Sequence, residues 1–223
     1  MRPSDLKIPV EGNECQAFIY DRLLRVPKVL EKKFEFPGWQ HPDLFGNGNK
    51  VQIEYCSGNG GWIASKAAED PTKNWVAIEM RVGRSRKIWS KIKNLQLSNL
   101  FIVHGEGYKA TKELFPSASV QNIYINFPDP WPKRRHSKYR IIQPAFVAEM
   151  SRILLPGGTV TFVTDDEQYS EWTIEIFSKS EIFSSDYPEP YYCLEWQDYG
   201  TSYFEDLWRQ QGKIVRYHHF RKL

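Results

Sequence analysis

The sequence predicts an α/β fold: a mostly parallel sheet with helices on both faces and an antiparallel edge near the C-terminus. Three observations carry this expectation. From Lys50 onward, short β-rich runs alternate with stretches of helical spacing, the pattern of parallel strands joined by crossover helices. Acidic residues recur at or just beyond the ends of four successive runs, at Glu54, Glu79, Glu106 and Asp129; ligands of such sheets bind at the carboxyl ends of strands, near the switch in strand order. A proline-punctuated loop followed by cations, Asn126 to Arg140, breaks the alternation after the fourth run.

The elements follow in order. Residues 1 to 14 look irregular. Cys15 to Phe34 carries apolar residues at helical spacing (Phe18, Leu23, Val26, Leu30) with Pro27 as a break or kink, so residues 1–49 read as an N-terminal extension with a helix, ending in a loop from Pro37 to Asn49. Residues 50–223 read as the main domain. Its strands are expected at Val51 to Tyr55, Asn74 to Glu79, Leu100 to His104, Val120 to Asn126 and Thr159 to Thr164. Helices are expected at Trp62 to Ala68, Val82 to Asn94, Tyr108 to Phe115, Pro144 to Leu154 and Glu167 to Ser178. Pro144 suits a first helical turn, and Pro156-Gly157-Gly158 reads as a turn. In the tail, Tyr187 to Trp196 and Lys213 to Phe220 read as antiparallel edge strands joined through a helix at Phe204 to Gln211, which brings the sheet to seven strands.

The totals narrow the class. A chain of 223 residues with a 41% hydrophobic fraction suits one domain with a real core. A net charge of +3 excludes a global polycation, so the arrangement of charge must carry any nucleic-acid argument. Cys15, Cys56 and Cys193 are odd in number and dispersed, giving no disulfide framework or metal spacing; a reducing compartment is the simpler reading. No signal-peptide pattern or membrane-spanning apolar run is present, and the expectation is a cytoplasmic protein without a membrane partner.

Glu54 with Gly58-Asn59-Gly60 forms E-x-x-x-G-x-G after the first strand. Gly58 and Gly60 let the backbone turn tightly and approach a ligand. Ile63 stands where the dinucleotide fingerprint needs a small residue, which disfavours nicotinamide and flavin cofactors. A carboxylate before the turn repels a pyrophosphate and suits a cation. Glu79 lies about 20 residues on, where an acid can accept from ribose hydroxyls. A nucleoside carrying positive charge fits both ends, and S-adenosylmethionine is such a molecule. Glu106, after Gly105, falls near the adenine in this arrangement.

In the loop, Pro128, Pro130 and Pro132 each fix φ and push the preceding residue towards extension. Asp129 and Trp131 are therefore expected on a stiff, extended strand-end loop, with Lys133, Arg134, Arg135, His136, Lys138 and Arg140 behind them. A rigid carboxylate and indole beside cations suits a reaction centre that meets a polyanion; a solvated proline-rich loop is the plain alternative. Trp131 is either a stacking surface for a base or a plug beneath the loop.

These residues resemble a known family. NFPDPWPKRRHSKYR (126 to 140), with Glu54-x-x-x-Gly58-x-Gly60 and Ile78-Glu79-Met80-Arg81, is similar to the bacterial tRNA (guanine-N7)-methyltransferases, over about Val51 to Trp172 and again near Ser202. The resemblance implies a Rossmann-like class I methyltransferase fold and methyl transfer from S-adenosylmethionine to N7 of a variable-loop guanine in tRNA, without a metal. It implies cofactor binding by Glu54, Gly58, Gly60, Glu79, Glu106 and Asp129, with Asp129 also the catalytic residue. Lys133, Asp165, Ser202 and Glu205 match substrate-binding positions, and Arg134, Arg135, His136, Lys138 and Arg140 lie in the RNA-contact segment. Cys56 replaces a usual Gly, Glu106 a usual Asp and Ser202 a usual Thr. The chain is expected to act as a monomer or homodimer.

Guanine N7 has a free lone pair, so the task is positioning more than proton abstraction. Asp129 and Asp165 are candidates to stabilise charge developing on the purine. Three basic stretches bracket an acidic one: Lys133 to Arg140, the Arg81 to Lys93 helix and the tail after Asp206, against Asp165 to Asp206 with Lys179 as its sole Lys or Arg. Such polarity predicts salt-sensitive RNA binding. A small-molecule methyltransferase and a non-catalytic RNA-binding module are the competing readings.

Overall fold

Val51 to Tyr55 is buried at every position and forms the central strand of a nine-stranded sheet. The computed structural model describes residues 1–9 and 15–223, with the side chains of Arg134 and Asp198 outside the description. The strands are β1 (Phe18–Tyr20), β2 (Leu23–Arg25), β3 (Val51–Tyr55), β4 (Asn74–Glu79), β5 (Leu100–His104), β6 (Val120–Asn126), β7 (Leu154–Thr164), β8 (Phe183–Ser185) and β9 (Arg216–Lys222). The helices are α1 (Gly61–Glu69), α2 (Val82–Asn94), α3 (Gly107–Leu114), α4 (Pro144–Ile153), α5 (Glu167–Ser178) and α6 (Tyr203–Gln210). Their order in the sheet is β1-β2-β5-β4-β3-β6-β7-β9-β8.

The middle of the sheet, from β2 to β7, is parallel, and both edges close antiparallel. Central parallel strands are covered on both faces, so they read as near-continuous apolar runs. Two cores result. One face packs Ile53, Tyr55, Phe101, Ile123 and Phe146; the other packs Trp62, Trp75, Ile88, Trp89 and Ile102. The chain leaves β3 outward through β4 and β5, then returns to the opposite side of β3 as β6. The switch point thus lies between β3 and β6, where a ligand crevice is expected.

Three expectations need correction. The helix over Cys15 to Phe34 is absent; β1 and β2 form a hairpin there, and these two strands raise the sheet from seven strands to nine. Its turn puts Asp21 at φ 38° and Arg22 at φ 67°, the two left-handed residues of a tight hairpin. Tertiary contacts hold it. Asp21 accepts from Trp89 Nε1 at 3.0 Å, and Arg22 donates to the Leu100 carbonyl at 2.8 Å between the Phe45 and Phe101 rings. In the tail, the first edge strand is β8, not Tyr187 to Trp196; only Cys193 of that stretch bridges to Tyr217. Pro156-Gly157-Gly158 lies inside β7, where the register to β6 slips between Val120 and Asn122. No helix among the described residues is long and apolar enough to cross a membrane.

Candidate active site

Glu54 is the fourth residue of β3 and is 2% exposed. Its Oε1 accepts from Asn126 Nδ2 at 2.8 Å, across the β3–β6 pair, and its Oε2 has no partner. Asn126 Oδ1 is equally buried and unpartnered. Burial, opposed by the hydrogen bond from Asn126, pushes the Glu54 carboxyl from an ordinary 4.5 up to about 7; Ser57 Oγ donates to the Glu54 main-chain carbonyl. A buried acceptor without a donor is costly, so this corner of the switch point is built for something that brings a donor or positive charge.

The turn after β3 has the shape its glycines anticipate. Gly58 and Gly60 adopt φ 57° and 68°, and Cys56 is also left-handed at φ 60°. Gly60 admits no side chain, since a Cβ there would lie 2.6 Å from Ile88 Cγ1. Glu79, buried at the end of β4, ties the turn down: Oε2 accepts from Gly58 N at 2.9 Å and Oε1 from Arg81 N at 2.8 Å. Glu106 caps α3, accepting from Tyr108 N and Lys109 N at 2.9 and 2.7 Å. It is exposed at the end of β5.

Asp129 is exposed on the loop after β6. Cys56 marks its neighbourhood: it is exposed, and its thiol lies within electrostatic reach of the carboxylates of Glu79, Asp129 and Glu54. Three of the four acids anticipated from strand ends therefore surround one residue of the glycine turn. The loop itself differs from expectation. Phe127 and Trp131 both have φ 46°, so each flank of Pro128-Asp129-Pro130 turns left-handed and Trp131 is not extended. Such strain persists where surroundings over-determine it. Phe127 N donates to the Val163 carbonyl at 2.9 Å, and Arg140 Nε donates to the Pro130 carbonyl at 2.8 Å. Trp131 is 38% exposed and clusters with His136 and Tyr139.

Arg140 corrects the RNA-contact expectation. It is 6% exposed, packs its guanidinium over Tyr169 and Trp172, and straps the loop from beneath. Lys133, Arg135 and Lys138 are exposed and His136 is half-buried, all in or beside a short 3-10 turn, Arg134–Tyr139. Arg134's side chain lies outside the described ones.

The C-terminal motif folds against the same corner. Ser202 Oγ accepts from Glu205 N at 3.2 Å, capping α6. Glu205 is buried; its Oε1 accepts from Tyr217 Oη and from Arg209 Nε, and its Oε2 is unpartnered. Asp165, after β7, pairs with Lys213, which sits over the Trp208 ring. Tyr199 joins the two halves. Its ring stacks on Trp62, its buried hydroxyl has no partner, and burial first, then the neighbouring Glu54, Glu205 and Tyr217, push that hydroxyl well above its ordinary range. Asn126, Val163 and Tyr217 occupy one row across β6, β7 and β9, which spaces Asn126 and Tyr217 about 10 Å apart.

The sequence reading quoted Asn126 within the loop motif without a role, counted Arg209 only as a member of the basic tail, and missed Tyr199 and Tyr217. An amide at a strand end beside a buried acid is a readable signal for Asn126. No local pattern marks the other three.

The orphaned Glu54 Oε2 and Asn126 Oδ1, beside the left-handed turn of Gly58 and Gly60, fit a cationic nucleoside. Among the described residues no group of three or more His, Cys, Asp or Glu could hold a metal.

Comparison with known proteins agrees with this chemistry. Residues 48–216 match a family model described as "Putative methyltransferase". A tRNA (guanine-N(7)-)-methyltransferase of Chlamydia abortus is 41% identical over 100% of this chain and 98% of its own length. One from Chlamydia felis is 42% identical with the same coverage, and one from Geobacter metallireducens is 32% identical over 80% of this chain and 85% of its own. Among solved structures, the 16S rRNA methyltransferase KamB superposes with a TM-score of 0.59 at 15% identity, over 86% of this chain and 96% of that one. A SAM-dependent methyltransferase from Aquifex aeolicus superposes with a TM-score of 0.55 at 13% identity, over 79% and 85%.

Proposed function

The chain belongs to the tRNA (guanine-N7)-methyltransferase family, and from that premise we propose how its own residues carry methyl transfer to N7 of a guanine in tRNA. One observation supports the assignment above the rest: a fully buried carboxylate, Glu54, with one oxygen fixed by Asn126 and the other free, at the switch point of the sheet. S-adenosylmethionine, when bound, supplies an electrophilic methyl on a sulfonium.

Glu54 receives the cationic end of the cofactor, and its ionised form is the one that binds. Gly58 and Gly60 allow close backbone approach. Glu79 keeps the turn closed and offers its remaining lone pairs to ribose hydroxyls; Glu106 lines the adenine end. Asp129, on a loop strapped by Arg140, faces the reacting purine. A bound S-adenosylmethionine would supply its methyl group to N7, and Asp129 would stabilise the positive charge that this places on the purine. N7 carries no proton, so no base is required. Glu205 and Ser202 take the far side of the base, and Asp165 lies beside them. Lys133, Arg135, His136 and Lys138 form the phosphate-binding rim, with Arg134 adjacent in sequence.

We read the chain as acting as a monomer or as a homodimer. A tRNA substrate supports a cytoplasmic place of action. Residues 1–49 extend the domain of residues 50–223, and β2 joins its sheet beside β5. The deciding experiment is incubation with unmodified tRNA transcript and methyl-labelled S-adenosylmethionine, followed by mapping of the labelled nucleotide. Label at guanine N7 in the variable loop is the expected result. Label elsewhere, or transfer only to small acceptors, overturns the assignment.

A further inference from the structure

Glu205 is held in an unusually one-sided way. Both of its side-chain donors act on the same oxygen. Tyr217 Oη and Arg209 Nε donate to Oε1, while Oε2 is buried with no donor at all. The holders also hold each other: Arg209 Nη2 donates to Tyr217 Oη at 3.1 Å and to the Leu194 carbonyl at 3.0 Å. Burial and the bond to Glu205 raise the Tyr217 hydroxyl further above its ordinary range, so it remains a donor at working pH. The triangle is closed, and its one open valence is Oε2.

The triangle adjoins the candidate site. Tyr217 shares a sheet row with Asn126, the partner of Glu54, through Val163. Val163 also anchors Phe127, at the head of the Asp129 loop. Glu54 and Glu205 both neighbour the Tyr199 hydroxyl. An ionised carboxylate accepts only, and a guanine extruded from the tRNA presents two donors on its Watson–Crick edge, N1–H and the 2-amino group. Adenine presents no N1 donor and no 2-amino group. The first turn of α6 borders the site with exposed aromatic side chains: Tyr203 is 73% exposed and Phe204 38%.

We propose that Arg209 and Tyr217 are positioning residues for guanine selection, fixing the Glu205 carboxylate through Oε1 so that Oε2 accepts from the Watson–Crick edge of the target base. This rests on the tRNA methyltransferase reading and names the residues that set its base specificity. Neither holder touches the reacting atoms.

The test uses tRNA transcripts carrying guanosine or inosine at the target position; inosine keeps N7 and N1–H but lacks the 2-amino group. Wild type is expected to prefer guanosine by tenfold or more in kcat/KM. Tyr217→Phe, which keeps the ring, and Arg209→Gln, on a half-exposed side chain, should each lower kcat/KM for guanosine about tenfold and reduce the preference to within about threefold. The Kd for S-adenosylmethionine should stay within about twofold. A purely structural role would lower the melting temperature and leave the preference intact, and that result in the Arg209 variant alone overturns the proposal. Equal use of the two transcripts by wild type also overturns it. A wild type that methylates no tRNA would instead remove the parent reading, so the two failures are distinct.

Discussion

Asn126 Nδ2 donates to Glu54 Oε1 at 2.8 Å across two parallel strands, and leaves one oxygen of each side chain buried and unpaired. A neutral amide orients the carboxylate without neutralising it. The consequence is a pH dependence. The Glu54 carboxyl is raised from 4.5 to about 7, chiefly by burial. Between those values the native protein holds a proton that the unfolded chain has released, so stability of the ligand-free protein falls as pH rises through this window and stays lower above it. The shift corresponds to roughly 3 kcal/mol. Ligand-free Glu54→Gln should therefore melt higher than wild type at pH 8 and close to it at pH 5. Binding of S-adenosylmethionine to wild type should tighten about tenfold from pH 6 to pH 8, as Glu54 ionises. Calorimetry at both pH values checks this, and a flat affinity profile would remove Glu54 from cofactor binding.

Asp129→Asn should separate chemistry from binding. Asp129 is exposed, and it neighbours the glycine turn through Cys56. Loss of its charge removes stabilisation of the purine in the transition state, an effect of about 10²-fold on rate. Cofactor affinity should change by less than about threefold, because Glu54 and Glu79 remain. Rapid-quench single-turnover methylation measures the first and calorimetry the second. An unchanged single-turnover rate would exclude Asp129 from the mechanism.

Much of this site is visible in the sequence because central parallel strands are covered on both faces. Val51 to Tyr55 and Asn74 to Glu79 read as apolar runs, and the acids interrupting them, Glu54 and Glu79, are therefore conspicuous. The hairpin at Phe18 to Arg25 is not visible. Its Asp21-Arg22 turn lacks the glycine or asparagine that normally marks such a turn, and its left-handed residues are held by Trp89, Leu44 and Leu100, 20 or more residues away. Proline rules forecast a stiff loop but not the left-handed Phe127 and Trp131, whose conformation depends on Val163 and on packing outside the motif. A run of cations looks alike whether its members are solvated or buried, so Arg140 is indistinguishable from Lys138 by sequence.

That last difference can be measured. Lys133→Ala, Arg135→Ala and Lys138→Ala should each weaken tRNA binding across sequences and reduce the salt slope of log K by about 1. Arg140→Ala should leave that slope unchanged. Its guanidinium instead holds the Pro130 carbonyl beneath Asp129, so its loss should cost about 2 kcal/mol of stability and lower kcat. Filter binding over a salt series, paired with thermal melts, separates the two roles. A reduced slope in the Arg140 variant would restore it to the RNA surface.

The glycine turn offers two substitutions of opposite sign. Cys56 holds φ 60° with a side chain attached, a conformation that costs a residue with a Cβ about 1–2 kcal/mol. Glycine relieves that strain and adds about 0.5–1 kcal/mol of unfolded-state entropy. Cys56→Gly should therefore be neutral to stabilising, by up to about 1 kcal/mol, with cofactor affinity preserved. Gly60→Ala meets two penalties: φ 68°, and a Cβ placed 2.6 Å from Ile88 Cγ1 in the core beneath α1. Ile88 is wholly buried and cannot swing aside, so the backbone of the turn must shift. A loss of about 2–4 kcal/mol is expected, and because the shift moves Gly58 N away from Glu79, S-adenosylmethionine affinity should fall with it. Denaturant melts with and without the cofactor measure both effects. A Gly60→Ala variant of wild-type stability and affinity would show that the turn does not shape the pocket.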